Sequence, residues 1–304
     1  MSGRAAAVTG TTSGTGYVCA RELAKLGARV FILNRPSERA DRALSDLRNE
    51  APDAKFDAVA CDLLDFESVR QAAKTIAGKV DVLDVLCNNA AVMALPDRAT
   101  KDGYDVQMQT NSISPFLLTK ELFPLLKRSK EARIVNHTSM ARTGSDHDAR
   151  YFGKNGGNLG GDGTPEDSAN FKGPRWERYH QSKLANCTFI YGLKQRLEAQ
   201  GIANVKVFIA HPGVARTGLQ DTSERAGGMN SNHGIMLQAQ TAEDGALGII
   251  QACTDPAADS GDFYGPEGHT GFPNRRAPEQ LLVDPKNISI CWEGCEAAVG
   301  KFEI

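Results

Sequence analysis

Short aliphatic or β-branched runs alternate with helix-length amphipathic segments along most of this chain. This alternation is typical of repeated strand–helix units, in which helices cover both faces of a parallel sheet. It predicts an α/β fold, a doubly wound (Rossmann-type) parallel sheet of about seven strands. We expect strands near 4–9, 28–34, 55–60, 82–87, 132–138, 204–210 and 261–264, and helices near 14–27, 37–50, 66–78, 101–128, 178–200 and 241–254.

Two segments interrupt this alternation. Residues 140–178 hold six glycines within eleven positions, which is more backbone entropy than regular structure tolerates, so we expect a long loop insertion. Residues 214–240, rich in glycine and methionine, predict a mobile, partly apolar lid over the substrate. Both follow strands at their C-terminal ends, where doubly wound sheets bind ligands. The six glycines are Gly153, Gly156, Gly157, Gly160, Gly161 and Gly163.

Length and composition favour one soluble domain, 1–304. The formal net charge is −2 and charges of both signs are interspersed, which argues against nucleic acid and favours a small-molecule partner. Seven cysteines without CxxC spacing are typical of reduced thiols in a cytosol-like compartment. The chain shows no cationic and apolar leader and no long uncharged apolar run, so we expect a cytoplasmic protein without a membrane span.

Metal ligands are not apparent in the pattern of histidine and cysteine. The six histidines show neither HxxxH nor HExxH spacing, and the pair Cys291 and Cys295 lacks histidine neighbours. We therefore expect no metal site. His137, His180 and His211 are interpreted as bystanders of the motifs beside them.

A glycine-rich turn with the spacing G-x-x-x-G-x-G lies between the first predicted strand and helix. Such a turn lets the backbone approach a pyrophosphate, whose charge is favoured by free N–H groups at the helix N-terminus. A plain tight turn gives the same pattern, and the position after the first strand decides for a cofactor site. We assign to it Gly10, Ser13, Gly14, Thr15 and Gly16.

The second predicted strand ends in Asn34-Arg35, where an NAD-preferring protein usually places a carboxylate on the ribose 2′-hydroxyl. A guanidinium instead matches a 2′-phosphate, with about 1.5–3 kcal/mol for each charged hydrogen bond. NADP(H) is therefore favoured over NAD(H). The alternative is that Arg35 is an ordinary solvated turn residue.

Tyr179 and Lys183 lie four residues apart, so on a helix they share one face. A phenol so placed can become an acid–base catalyst, but a tyrosine with its free pKa of about 10 requires a stabilised phenolate. Lowering that pKa by about 3 units takes about 4 kcal/mol, which one ammonium about 4 Å away supplies at an effective dielectric of 20. By itself the spacing also arises by chance on solvated helices.

Taken in order, five motifs resemble the short-chain dehydrogenase/reductase family from Ala5 to about Gly265. The resemblance implies an oxidoreductase with Tyr179 as acid and base. Lys183 would hold the nicotinamide ribose and connect to a water near Asn111. Ser139 is chosen over Thr138 because the family's catalytic hydroxyl is normally the second of such a pair, and it would bind the substrate oxygen. The motifs are Thr9 to Gly16, Asn88-Asn89-Ala90, Asn111, Ser139, and Tyr179 with Lys183.

The resemblance also assigns further cofactor contacts. Asp62 and Leu63 would contact adenine, Asn89 and Ala90 would face the cofactor, and Pro212, Gly213, Val214 and Thr217 would surround the nicotinamide. Ala91 departs from the family pattern, which usually has glycine there. A purely structural role is the alternative for each of these assignments. Asp62 would be a helix N-cap, Asn88-Asn89 would hold a turn, and Ser139 would be a solvated strand end. Asn111 would reflect helix distortion near Pro115, and Pro212-Gly213 would be a plain turn.

The 39 residues between Ser139 and Tyr179 resemble the insertion of the retinol dehydrogenase-like and carbonyl reductase-like branches. We predict NADPH-dependent reduction of an apolar ketone or aldehyde, or the reverse alcohol oxidation. The rivals are a non-catalytic NADP-binding regulatory protein, which typically lacks the tyrosine or lysine, and a light-dependent protochlorophyllide reductase-like enzyme. Pocket walls are expected from Met93, Leu95, Met140, Trp176, Val214 and Leu219.

Assembly should also depend on this insertion. Many members of the family associate through the helices that correspond to 101–128 and 178–200, and the insertion enters the second of these. If it covers that surface, a monomer or dimer is favoured over a tetramer.

Overall fold

The computed structural model describes residues 1–154, 158–230 and 233–304, and within them it has eight strands. The strands are β1 (Ala5–Thr9), β2 (Arg29–Asn34), β3 (Lys55–Ala60), β4 (Val85–Asn88), β5 (Ala132–His137), β6 (Val205–Ala210), β7 (Phe263–Gly265) and β8 (Asn274–Arg276). They form one sheet in the order β3-β2-β1-β4-β5-β6-β7-β8, and every neighbouring pair is parallel except β7 and β8. The order reverses between β1 and β4, so the predicted doubly wound α/β class is confirmed.

Twelve α-helices lie in the described parts of the chain. They are α1 (Gly14–Lys25), α2 (Glu38–Glu50), α3 (Phe66–Ala77), α4 (Val106–Met108), α5 (Ser114–Lys127), α6 (Pro165–Ala169), α7 (Gly173–Ala199), α8 (Gly218–Arg225), α9 (Gly234–Leu237), α10 (Ala242–Thr254), α11 (Gln280–Val283) and α12 (Pro285–Val299). A π-helical turn, Gln109–Ile113, joins α4 to α5. Gly27 follows α1 with a φ of +91°, as expected of a helix terminator.

The two faces of the sheet carry separate apolar cores because successive side chains of a strand point to opposite faces. On β2, Phe31 packs in the core under α3, α5, α7 and α12. Its neighbours Val30 and Ile32 pack in the core under α1 and α10. Burial on both faces explains why the strands read as nearly continuous hydrophobic runs. Among the described residues, no helix has both the length and the apolar character that a bilayer crossing requires.

The prediction of one long loop over 140–178 was wrong in part. The segment forms 3₁₀ turns at Met140–Arg142 and Ala149–Phe152, then α6, and α7 begins at Gly173. Tyr151, Phe152 and Leu159 are buried in the main core, and this apolar burial offsets the entropy of the neighbouring glycines. The predicted lid 214–240 likewise contains α8 and α9. Gly156, Gly157 and Ser231 lie outside the described residues.

After Gly265 the chain forms β8, α11 and α12. β8 has no apolar alternation that sequence could reveal, since its residues are Asn274, Arg275 and Arg276 on the sheet edge. α12 starts at Pro285, where the Asp284 side chain accepts hydrogen bonds from the backbone of Lys286 and Asn287.

α12 covers the helix pair that the insertion was expected to cover. Its Trp292 packs edge-on against Phe116 of α5 at 5.1 Å between ring centroids, and in a tilted arrangement against Phe189 of α7 at 6.1 Å. Phe302 stacks on Trp292, with an interplanar angle of 13°. The insertion contributes Phe152, which lies under Gly294 of α12. The C-terminal segment therefore buries the outer faces of α5 and α7 within a single chain.

Candidate active site

A cavity of about 900 Å³ opens at the C-terminal ends of the strands, between the turn after β1 and the N-terminal part of α7. Two of the expected site residues, Gly16 and Asn111, lie behind its wall. The others line it together: Gly10, Ser13, Gly14, Thr15, Arg35, Asp62, Leu63, Asn89, Ala90, Ser139, Tyr179, Lys183, Pro212, Gly213, Val214 and Thr217.

Asn89 fixes the glycine-rich turn. Its amide nitrogen donates to the carbonyls of Thr9 at 3.0 Å and Gly10 at 3.3 Å, and its amide oxygen accepts from the Thr15 hydroxyl at 2.9 Å. A Cβ on Gly16 would lie 2.2 Å from this amide nitrogen and 2.4 Å from the Gly10 carbonyl, so only glycine fits. The asparagine-held turn is thus present, and Asn89 lines the cavity as well. The Thr15 hydroxyl thus points toward Asn89, at the start of α1.

The N-terminus of α1 has the features of an anion site. Ser13 is its N-cap residue but its side chain makes no capping hydrogen bond, so the first N–H groups of the helix stay unpaired by it. The Ser13 hydroxyl instead accepts a hydrogen bond from the guanidinium of Arg39 on α2. Arg35 and Arg39 are both exposed and both line this end of the cavity. These residues fit a pyrophosphate with an additional phosphate beside it.

Arg39 is a site residue that sequence reasoning missed. It lies four positions after Arg35, at the second residue of α2, and a second arginine so soon after the end of β2 was the available signal. Its guanidinium also lies beside the first residue of α8, because a Cβ on Gly218 would be 2.9 Å from an Arg39 nitrogen. Arg39 therefore connects the glycine-rich turn after β1, Gly10 to Gly16, with the lid segment 214–240. We call this glycine-rich turn the cofactor turn.

Asp62 and Leu63 line the cavity after β3, and the alternative role for Asp62 was wrong. The N-cap of α3 is Asp65, whose carboxylate accepts from the backbone of Glu67 at 2.9 Å. The Asp62 carboxylate accepts from the backbone of Leu64 at 3.0 Å. Asp62 thus shapes the loop that borders the cavity rather than capping the helix.

Tyr179 and Ser139 meet at the centre of the cavity. The Tyr179 side chain is only 2% exposed, and it lines the cavity together with Ser139. Burial raises the pKa of Tyr179 to about 12, and the neighbouring Ser139 hydroxyl opposes part of that rise. Thr138 is turned away, because its hydroxyl donates to the carbonyl of Lys183 at 2.9 Å. Of the two hydroxyls at this strand end, that of Ser139 is the one that influences the pKa of the phenol.

Lys183 lies one turn after Tyr179 on α7, and the expected stabilisation of the phenolate by its ammonium stays a prediction. Its ammonium is 5.8 Å from the centre of the Tyr179 ring and donates to the carbonyl of His137 at 3.1 Å. Burial lowers the pKa of Lys183 to about 8, because the charged form loses hydration. The Lys183 ammonium at the cavity wall therefore loses its proton more readily than a solvated lysine does.

Asn111 lies in the π-helical turn between α4 and α5. Its side chain is fully engaged, accepting from the backbone N–H of Val92 at 2.8 Å and donating to the Val92 carbonyl and to the Ser182 hydroxyl, both at 2.9 Å. The distortion that Pro115 suggested is present, and π turns often occur at functional sites. In this structure Asn111 ties the segment after β4 to α7, next to Tyr179 and Lys183.

His137 is more than a bystander. Its Nδ1 lies 2.9 Å from the amide oxygen of Asn89, and its carbonyl accepts from Lys183. Burial and the charge of Lys183 lower the pKa of its imidazole to about 3, so the ring is neutral. His137 thus connects the cofactor turn to the lysine.

The remaining wall of the cavity is apolar. All six residues expected there line it, which confirms that prediction. Met229, Met236 and Phe171 add to the same surface, and Phe171 packs edge-on against Trp176 at 4.9 Å. The indole nitrogen of Trp176 donates to the Gly228 carbonyl at 2.9 Å, which ties the lid segment to α7. An apolar ligand would therefore lie between α7 and the lid segment.

Arg178, directly before Tyr179, is a second residue that sequence reasoning missed. It is fully buried, and its guanidinium donates to the carbonyls of Gly161 at 2.8 Å and Leu95 at 3.2 Å. Asp105 lies 3.4 Å from its Nε and Asp97 lies 3.7 Å from its Nη1. A buried cation with carboxylate and carbonyl partners gives precise placement, because breaking such a pair is costly. Arg178 holds the insertion against the loop after β4, at the position that also sets Tyr179.

Sequence comparison with known proteins agrees with the family resemblance of the motifs. The profile of the family described as short chain dehydrogenase matches residues 4–152. An uncharacterized oxidoreductase of Schizosaccharomyces pombe is 38% identical over 72% of this chain and 62% of that protein, and mouse retinol dehydrogenase 13 is 34% identical over 71% and 60%. Human polyprenol dehydrogenase is 32% identical over 92% of this chain and 79% of that protein. The chain thus spans about three fifths of the length of the first two relatives.

Solved structures resemble the whole chain. An uncharacterized protein from Mycobacterium paratuberculosis is 29% identical with a TM-score of 0.74, over 100% of this chain and 96% of that one. A short chain dehydrogenase from Shigella flexneri, solved in complex with NADP, has a TM-score of 0.62 at 21% identity over 86% of this chain and 96% of that one. At that identity the second likeness concerns the fold alone.

Proposed function

This chain belongs to the short-chain dehydrogenase/reductase family, and on that basis we propose that it transfers hydride between NADP(H) and an apolar ketone or aldehyde, or the corresponding alcohol. In this proposal residues 1–304 form one reductase domain, and the protein is located in the cytosol. One observation carries it: a single cavity is lined by Tyr179, Ser139 and Lys183, by the glycine-rich turn after β1 and by an apolar wall. The retinol and polyprenol dehydrogenases among the relatives support an apolar substrate.

Each residue of the site would have its own role in this reaction. Ser139 and Tyr179 would both hydrogen-bond the carbonyl oxygen, and Tyr179, with a pKa of about 12, holds the proton that it would deliver there. When bound, the reduced nicotinamide supplies the hydride to the carbonyl carbon. Lys183 would bind the cofactor ribose, and the apolar wall around Trp176 would exclude water.

NADPH oxidation with a panel of aromatic and aliphatic carbonyls tests this function. Turnover with apolar members and little turnover with small polar ones is the expected result. If NADPH binds but no carbonyl in a broad panel is reduced, in the dark or in light, the regulatory alternative replaces the enzyme. Reduction of a porphyrin ring that requires light would instead support the protochlorophyllide reductase-like alternative.

Cofactor preference gives a first prediction. Arg35→Ala should weaken NADPH binding about tenfold or more and leave NADH binding nearly unchanged, because one or two charged hydrogen bonds to the 2′-phosphate are lost. Arg39→Ala should give the same selective loss, since its guanidinium lies at the same end of the cavity. Fluorescence titration of both cofactors measures this. Arg42→Ala is the matched control, because Arg42 is exposed on α2 and pairs with Glu38. An equal loss for NADPH and NADH would show that Arg35 does not contact the phosphate.

Assembly gives a second prediction. We expect a monomer or dimer in light scattering at micromolar protein concentration, because α12 and Phe302 already bury the outer faces of α5 and α7. These faces carry large apolar side chains that are covered within one chain. A stable tetramer that uses α5 and α7 as its interface would contradict the proposal.

A further inference from the structure

Three cysteine thiols meet behind the cofactor turn, in the core under α1 and α10. Cys19 of α1, Cys87 of β4 and Cys253 of α10 have sulfur atoms that all lie within 4.8 Å of one another. Each side chain is fully buried, and the surrounding residues are aliphatic. Within the described residues, this is the one place where three metal-ligating side chains come so close. From this geometry we infer a binding site for a thiophilic d¹⁰ metal ion with three sulfur ligands.

The spacing suits such an ion. A three-coordinate ion with metal–sulfur bonds of about 2.3 Å holds its sulfurs about 4.0 Å apart. The observed limit of 4.8 Å then requires a contraction smaller than about 1 Å. A disulfide holds its sulfurs about 2.05 Å apart, so it requires a closer approach of two thiols than the ion does. Sulfur ligands alone select soft ions such as Cu⁺ over hard ions.

The charge can also be balanced. A divalent ion with three thiolates, or a monovalent ion with two thiolates and one thiol, leaves one negative charge. Arg133 supplies a positive charge nearby, since its side chain is 3% exposed and donates to the carbonyl of Ala252 at 3.3 Å, next to Cys253. Its other nitrogen pairs with Glu131 at 2.7 Å, on the more exposed side of β5. Binding would release the two or three thiol protons to the solvent.

The ion would join three elements that hold the cofactor turn. Cys19 lies one turn after Thr15 on α1, and Cys87 lies two residues before Asn89, which fixes that turn. Through Cys253, the ion would also hold α10 against α1 and β4. Because all three thiols are fully buried, loading requires α10 to lift and should be slow.

Cd²⁺ titration of the reduced full chain tests the site, both after long incubation under native conditions and after refolding with the ion. We expect one equivalent of Cd²⁺, a thiolate-to-cadmium charge-transfer band in the ultraviolet, and a rise in Tm of about 5 °C at an ion concentration a hundred times Kd. Both Cys253→Ala and Cys19→Ala should abolish the band and the rise. Cys295→Ala is the matched control, since it removes another fully buried thiol outside the cluster.

The opposite results would overturn the inference. One such result is no charge-transfer band after either incubation or refolding, and another is a band that persists in both Cys253→Ala and Cys19→Ala. A third is a fall in Tm, which would mean that the ion binds the unfolded chain. The two cluster variants are independent, so if one does not give the native near-ultraviolet circular dichroism the other decides. A disulfide formed in place of ion binding would also count against the site.

Discussion

Replacement of Tyr179 by phenylalanine should lower kcat for carbonyl reduction about 10²–10⁴-fold, the contribution typical of a positioned general acid. The ring would still pack against Trp176, whose centroid lies 5.6 Å away, so the apolar wall should remain. Only the hydroxyl beside Ser139 is lost. Steady-state NADPH oxidation with the best substrate of the panel measures the effect, and the NADPH dissociation constant should stay within about threefold, less than one neutral hydrogen bond.

The matched control for this variant is Tyr191→Phe. Tyr191 lies on the same helix α7, is also buried, and its hydroxyl donates to the Gly261 carbonyl at 3.4 Å, away from the cavity. It should keep nearly full kcat. If Tyr179→Phe kept most of its kcat while its fold and cofactor binding were intact, another group would have to be the acid.

Lys183→Met should lower both kcat and the affinity for NADPH. We expect a loss of about 10²-fold or more in kcat, in the range of a lost electrostatic donor, and about tenfold in affinity. Methionine fills a similar volume, and an apolar replacement for a buried cation does not by itself unfold a protein. Tm should therefore stay close to that of the unsubstituted chain, which separates loss of function from loss of fold.

The pH dependence of NADPH binding gives an independent readout of Lys183. With its pKa lowered to about 8, the lysine is charged below pH 8 and neutral above it. NADPH affinity should then fall as pH rises through about 8 in the unsubstituted protein, and this step should be absent in Lys183→Met. Lys194→Met, which changes an exposed residue of α7 that pairs with Glu198, should keep the step. A variant that binds NADPH normally at every pH would show that Lys183 does not contact the cofactor.

Local rules were enough to place the main parts of this site. The strand ends followed from hydrophobic runs, so the sites at Arg35, Asp62, Asn89, Ser139 and Pro212 were expected at one sheet edge, and they line one cavity. The face shared by Tyr179 and Lys183 followed from helical spacing alone. These predictions need only the periodicity of a strand or a helix and the direction of a parallel sheet.

The parts that could not be predicted depend on contacts between distant segments. The pKa of Tyr179 rises because of burial under Trp176 and the lid segment, which no motif encodes. Arg178 is part of the sequence around Tyr179, but its partners Asp97, Asp105 and Gly161 are brought to it only by the fold. In the same way, composition showed glycines in the insertion but not the burial of Tyr151 and Phe152 that orders it.

The cover that α12 forms has a consequence for synthesis on the ribosome. α7, which carries Tyr179 and Lys183, ends at Ala199, and its outer face is closed by Trp292 and Phe302. At about 5–20 residues per second, the ribosome needs roughly 5–20 s to add the intervening stretch. During that time the nascent chain presents an apolar helical face without its cover. The helix that carries Tyr179 and Lys183 therefore gains its full support only after a much later segment has been made.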